Sequence, residues 1–298
     1  MKYIFAILFG IASLNASACD ICGCSSGTNT LGLLPSMNKH FIGFRFQQNN
    51  YYSTPHETGG SVYSASNEYF KTLDIWGRYS IGKRFQLMGF VPYKLNKRVN
   101  SSSTLKLNGI GDASILLNYQ FIKLDNNKKW KQSLLAGIGV KLPTGKFDAI
   151  QNHSFINENI QIGTGSVDIP FNVNYSIRKE KLGINAEANY KANSTNKQHF
   201  KFGNKFSSVF RLFYQTKYKE FALIPQIAMN YEHNNSNSRE KIAEEFTNGF
   251  GIQNQYGIDI YYKKIGLNIQ YSLPLINKYG EGHIENKGRF STHLIYLF

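Results

Sequence analysis

Three cysteines fall within six residues, as Cys19-x-x-Cys22-x-Cys24, and the chain has no others. Thiolates this close can wrap a soft metal such as Cu(I) or Zn(II) without help from a folded scaffold, although three sulfurs leave zinc one ligand short of its usual set. His40 is the nearest imidazole. In an oxidising compartment the same spacing serves a disulfide with one thiol left over. Cys19, preceded by Ala16-Ser17-Ala18, is also a place for a lipid anchor. Sequence alone leaves metal, disulfide and lipid open.

A second set of chemically able residues is spread along the chain at alternating positions. Arg45, Asp74, Arg78, Lys94, Asp112, Lys141, Asp168, Arg178, Glu187, Lys191, Arg211, Glu232 and Asp259 each fall on the polar face of a segment whose other face is apolar. Groups of both signs turned towards one interior imply water and ion pairs instead of a greasy tunnel. Asp112 and Asp168 follow the glycine-rich stretches Gly109-Ile-Gly111 and Gly163-Thr-Gly165. Two carboxylates at matching heights would bind a cation or a substrate hydroxyl, or would pair with an inward Arg78, Lys141 or Arg178 and stiffen the wall.

Long strands must hold these residues. From Leu182 to Asn193 the apolar positions Leu182, Ile184, Ala186, Ala188, Tyr190 and Ala192 alternate with polar ones, and Ile169 to Arg178 and Ile265 to Leu273 repeat the pattern. Twelve such segments are expected, over 39–53, 68–81, 84–97, 109–123, 131–145, 163–178, 181–193, 204–218, 220–233, 247–262, 264–276 and 289–298. They are longer than the strands of soluble sandwiches. Short turns at 82–83, 125–129, 178–181, 218–219 and 262–264 alternate with long polar loops at 55–67, 98–107, 146–161, 194–203, 234–246 and 277–288. The fold predicted is a transmembrane antiparallel up-and-down β-barrel of about 12 strands, in the outer membrane of a Gram-negative bacterium, with both termini periplasmic. Twelve strands lie between barrels filled by side chains and open porins, so a narrow or plugged lumen is expected.

The ends of the chain fit that address. Lys2, the apolar run from Tyr3 to Leu14 and Ala16-Ser17-Ala18 read as a signal peptide over 1–18. Residues 19–38 carry no strand pattern and hold Leu31, Leu33, Leu34 and Met37, which need cover; this Cys-containing segment is a candidate plug for the barrel over 39–298. The last strand ends on Phe298 with Phe290, Thr292, Leu294 and Tyr296 on its outward face and Arg289, Ser291 and His293 on the other, suited to the barrel-assembly machinery. With 22 Phe and 19 Tyr the chain is rich in interface residues. Its net charge of +15 is read as basic rims meeting outer-membrane lipid and lipopolysaccharide, with no nucleic acid as partner.

Three motifs occur in order: Asn108-Gly-Ile-Gly-Asp-Ala113, Gly139-Val-Lys-Leu-Pro-Thr-Gly-Lys146 and Gly163-Thr-Gly-Ser-Val-Asp168. With the Phe-ended last strand, the region from about 40 to 298 resembles the outer-membrane transporter family named after the meta-pathway of phenol degradation. That resemblance implies a channel or transporter for a small solute, with aromatic compounds as one candidate cargo. No Ser-His-Asp elbow, phosphate-cradling loop or H-E-x-x-H motif is present, so no enzyme is expected. The contrasting expectation is a non-conducting structural or copper-binding outer-membrane barrel.

Overall fold

The computed structural model describes residues 33, 39–58, 61–125, 127–151 and 154–298. Apart from Leu33, the expected signal peptide and the segment 19–38 with Cys19, Cys22 and Cys24 lie outside the described residues. The rest closes into a barrel of twelve antiparallel strands. They are β1 (Phe41–Ser53), β2 (Ser66–Ile81), β3 (Phe85–Asn100), β4 in two parts (Thr104–Ile110 and Ser114–Ile122), β5 (Trp130–Lys141) and β6 (Ile169–Lys179). The others are β7 (Leu182–Ala192), β8 (Lys205–Tyr214, resuming at Thr216–Tyr218), β9 (Phe221–Asn234), β10 (Gly249–Tyr262), β11 (Ile265–Tyr279) and β12 (Ile284–Leu297). Each strand pairs with its sequence neighbours, and β1 pairs with β12 from Phe41↔Leu297 to Ser53↔Ile284 to close the cylinder. Closure leaves no sheet edge with open backbone groups.

Alternation sorts the side chains as the sequence implies. Ile42, Phe44, Ile75, Leu182, Leu294 and Tyr296 are among the exposed outward groups, while Arg45, Asp74, Asn185, Glu187, Ser291 and His293 are buried inside. A girdle marks the end that carries the short turns. There Arg84, Lys179, Lys181, Lys219, Lys263 and Lys264 sit over the rings of Tyr119, Trp130, Tyr214, Tyr218, Tyr262 and Tyr296 at 5.3–5.9 Å. Aromatic rings at head-group level with cations reaching past them match a membrane boundary.

Two expected long loops are instead tight turns. The stretch 98–107 continues the β3–β4 hairpin, and only Ser101–Ser103 turn, because the Asn100 side chain accepts hydrogen bonds from the Ser102 and Ser103 amides at 3.2 and 2.6 Å. Side-chain capping by Asn substitutes for a longer loop. Likewise β11 and β12 extend through most of 277–288, leaving a single 3₁₀ turn at Gly280–Gly282. In the other direction, β5 stops at Lys141 and β6 starts at Ile169 instead of 145 and 163. Pro143 has no amide to give the ladder, and the glycines at 145, 163 and 165 serve a different purpose described below.

The inner face at the short-turn end is apolar. Phe41, Trp76, Met88, Leu116, Leu135, Phe213, Ile224, Tyr261 and Leu297 form one buried cluster, joined by Leu33 from the N-terminal segment. Room for the rings comes from small wall residues: a Cβ on Gly183 would stand 2.2 Å from the Phe213 ring. Gly183→Ala should therefore overpack this layer and lower stability by about 1–3 kcal/mol, read as a lower urea midpoint in detergent; an unchanged midpoint would show that Phe213 swings away freely.

Candidate functional site

The three glycine-rich motifs meet at one place. Where β4 breaks at Gly111–Ala113, the backbones of Gly111, Gly145 and Gly163 press together: a Cβ on Gly145 would lie 2.8 Å from Gly163 Cα and 3.0 Å from Gly111, and one on Gly163 would lie 2.2 Å from the Gly145 carbonyl. Only residues without a side chain permit this approach. Thr144 fastens the junction, its hydroxyl donating to the Gly111 carbonyl at 2.7 Å and accepting from the Ala113 amide at 2.8 Å.

The junction aims Asp112 at Lys141. Asp112 Oδ1 accepts from the Gly145 amide at 3.0 Å, and Oδ2 accepts from the Thr164 amide and hydroxyl at 2.9 and 2.8 Å and from Lys141 Nζ at 2.9 Å. Lys141 Nζ also meets Asp168 Oδ2 at 2.7 Å and donates to Thr164 Oγ1. Asp168 is completely buried; Ser166 Oγ and the Ser194 amide donate to its Oδ1 at 2.8 and 3.1 Å. One ammonium thus bridges two carboxylates supplied by different motifs. Of the partners expected for Asp112 and Asp168, Lys141 is the one the fold delivers. Arg78 instead donates to the Lys39 carbonyl at the short-turn end, and Arg178 to the Glu180 carbonyl in a tight turn there.

The other inward residues form separate groups. Arg45 Nε pairs with Asp74 at 2.7 Å, and its guanidinium lies 5.4 Å from both the Trp76 and Phe90 rings. Arg211 donates to Asn185 at 2.6 Å, Asp259 accepts from Gln226 at 2.8 Å and from Asn268, and Glu187 accepts from Asn174 and Asn189. Lys94 is half-buried with its stem against Gly111. Glu232 is clasped by Arg289 through two hydrogen bonds at 2.7 and 3.1 Å, and Arg289 Nε reaches Asn49 across the β12–β1 seam at 2.6 Å. That two-pronged geometry is the strong form of an ion pair.

The loop from Leu142 to Asp168 enters the barrel at the end opposite the termini. Its 3₁₀ turn, Glu158–Ile160, is buried, and Ile156 and Ile160 pack with Tyr51, Phe70, Tyr279 and Ile284 from the walls of β1, β2, β11 and β12. Asn96 of β3 holds it by donating to the Ile160 and Gln161 carbonyls at 2.8 and 3.2 Å. Gln161 clasps the loop on itself, accepting from the Ala149 amide at 3.1 Å and donating to the Ala149 and Ile156 carbonyls. Arg239 from the β9–β10 loop pairs with Glu158. The expected outer loop 146–161 holds this inserted segment; the available signal was its apolar content, Phe147, Ile150, Phe155, Ile156 and Ile160, followed by Ile162. Among the described residues no group of three His, Cys, Asp or Glu is placed to hold a metal ion.

These features define a twelve-stranded barrel of the outer-membrane type, with a charge-paired lumen and an inserted loop. Solved outer-membrane barrels share the architecture. An outer membrane channel from Pseudomonas putida F1 superposes with a TM-score of 0.63 at 13% identity, over 87% of this chain and 96% of the channel. The beta domain of the Bordetella autotransporter Brka gives a TM-score of 0.53 at 9% identity, over 88% of this chain and 100% of that domain. At these identities the likeness is one of fold. No family model and no curated protein sequence matches the chain.

Proposed function

We propose that the protein is an outer-membrane channel or transporter that passes a small solute through a narrow, hydrated lumen. One observation carries this reading: between the apolar layer and the inserted loop the inner wall is polar and charged, with Arg45, Asp74, Asn185, Glu187, Arg211, Gln253 and Asp259 among its buried residues. Polar and charged side chains at this density on an inner wall suit a path for a hydrated solute better than an apolar filling does. A barrel serving only as a wall would be more stable filled with apolar groups. The similarity to the Pseudomonas channel supports the same reading.

The short-turn end faces the periplasm in this proposal. At the opposite end, Lys71, Lys97 and Lys106 project outwards with Tyr69 around a recess of about 440 Å³, suited to lipopolysaccharide phosphates. The burial of Leu33 in the apolar layer supports residues 19–38 as a plug on the periplasmic side, beside a cavity of about 590 Å³ lined by Leu33, Phe213, Ile224 and Tyr261 among others. Phe298 follows the last strand with its ring exposed, available to the assembly machinery.

Currents across planar bilayers from purified mature protein, with and without residues 19–38, test the proposal. Discrete steps that grow on truncation are expected. Silence in both forms would mean a sealed barrel.

A further inference from the structure

The outward faces of β2, β3 and β4 change character towards the end that holds the inserted loop. Going up from the short turn after Ile81, β2 presents Tyr79, Ile75 and Leu73 to the membrane and β3 presents Leu87, Val91 and Tyr93, all exposed. Lysines come next. Lys71 follows Leu73 on β2, Lys97 follows Leu95 on β3, and Lys106 of β4 lies directly opposite Lys97 in the ladder. Their strand neighbours Phe70 and Asn96 are buried inside, and Leu105 and Leu107 pack against the inner cluster under the inserted loop, so all three lysines stand on the outer face.

Their height decides what meets them. Lys71 is eight residues above Tyr79, which at about 3.3 Å per residue and a tilt of about 40° is a rise of about 20 Å. Lys97 is ten residues above Leu87, the cross-strand partner of Tyr79, a rise of about 25 Å. The apolar band of an outer-membrane barrel is about 25 Å tall, so these lysines reach its upper boundary, where head groups begin. They border one recess of about 440 Å³ with Tyr69, Gln48 and Asn108, and among the described residues no carboxylate lines it. The Lys97 ammonium lies 5.8 Å from the centre of the Tyr69 ring, which forms one side of the recess. Like charges directly opposite one another, as Lys97 and Lys106 are, destabilise a strand pair. A phosphate between them reverses that cost through charge-assisted hydrogen bonds.

We propose that Lys71, Lys97 and Lys106 form a site for one lipid A molecule of the outer leaflet, with a phosphate held by the three ammonium groups and acyl chains lying along Leu73, Tyr93 and Leu95. The site is single and stoichiometric, unlike the diffuse attraction of a basic rim to an anionic leaflet. It rests on the orientation proposed above, with the short-turn end in the periplasm, and not on conduction.

Native mass spectrometry of the detergent-purified mature protein, titrated with bisphosphorylated lipid A, should show one tightly held lipid per barrel. Lys71→Gln, Lys97→Gln and Lys106→Gln should each weaken it about fivefold, and the triple variant about a hundredfold. The triple Lys→Arg variant should keep the affinity, which separates lost charge from lost folding. Dephosphorylated lipid A that binds the wild type as tightly, or an affinity unchanged in the triple glutamine variant, overturns the site, as does phosphatidylglycerol held as tightly as lipid A. Orientation is read separately, from Ser102→Cys in the β3–β4 turn, labelled on intact cells by a membrane-impermeant maleimide above the wild-type background. Labelling with unchanged lipid affinity leaves the orientation standing without the site; absence of labelling overturns the orientation and the site with it.

Discussion

Lys141→Met should destabilise the folded barrel by about 3–5 kcal/mol, the usual cost of removing one partner from a buried ion pair. The reason lies in what stays behind. Asp112 and Asp168 are 8% and 0% exposed, and both approach the same ammonium. Asp112 would keep its donors from Gly145 and Thr164, and Asp168 its donors from Ser166 and Ser194, but two carboxylates would then repel one another with no cation between them. The three motifs that meet there would lose their common tie, so the damage should reach the entrance of the loop 142–168. Urea unfolding in detergent, with tryptophan fluorescence as the probe, measures the loss. The variant Asp112→Asn/Lys141→Met/Asp168→Asn should recover much of it, because neither stranded carboxylate is charged any longer. A Lys141→Met midpoint equal to that of the wild type would mean that water already neutralises the pair.

The barrel was legible because its signal is local and repeated. A lipid-facing strand must be apolar at every second position, so Leu182 to Ala192 declares both its conformation and its two faces, and the inward set followed from the same parity. Hairpin ends were less legible. Whether 98–107 is a loop or a continuing hairpin depends on one Asn100 side chain capping a turn, and nothing in polarity distinguishes the two. Pairing was legible only as a choice: Asp112 and Asp168 were inward by parity, but selecting Lys141 over Arg78 or Arg178 needs heights along the lumen, which depend on strand tilt and stagger. Arg289 was inward by parity, yet its grip on Glu232 is a contact between β12 and β9, strands that share no ladder. The inserted loop was illegible for a different reason. Its apolar residues Ile156 and Ile160 look like ordinary loop exposure until a concave wall is available to cover them.

That loop is the strongest lever on passage. Excising residues 150–160 and joining Ala149 to Gln161 through two glycines should raise single-channel conductance by about threefold or more, since the segment that crosses the lumen is what narrows it. The ends tolerate the join because Gln161 already hydrogen-bonds the Ala149 amide and carbonyl, which places them side by side. Excision removes Ile156, Ile160 and Glu158, and with them the apolar contacts to Tyr51, Phe70, Tyr279 and Ile284 and the tie to Arg239. Wall strands should be spared, since their ladders are closed without the loop. Asn96→Leu offers a milder version: it deletes the two hydrogen bonds that hold the Ile160 and Gln161 carbonyls, so the loop should undock part of the time and the current should flicker between two levels. Conductance that does not change on excision would place the narrowest point elsewhere, at the apolar layer around Phe41, Trp76 and Tyr261, and would make the N-terminal segment that reaches it through Leu33 the controlling element.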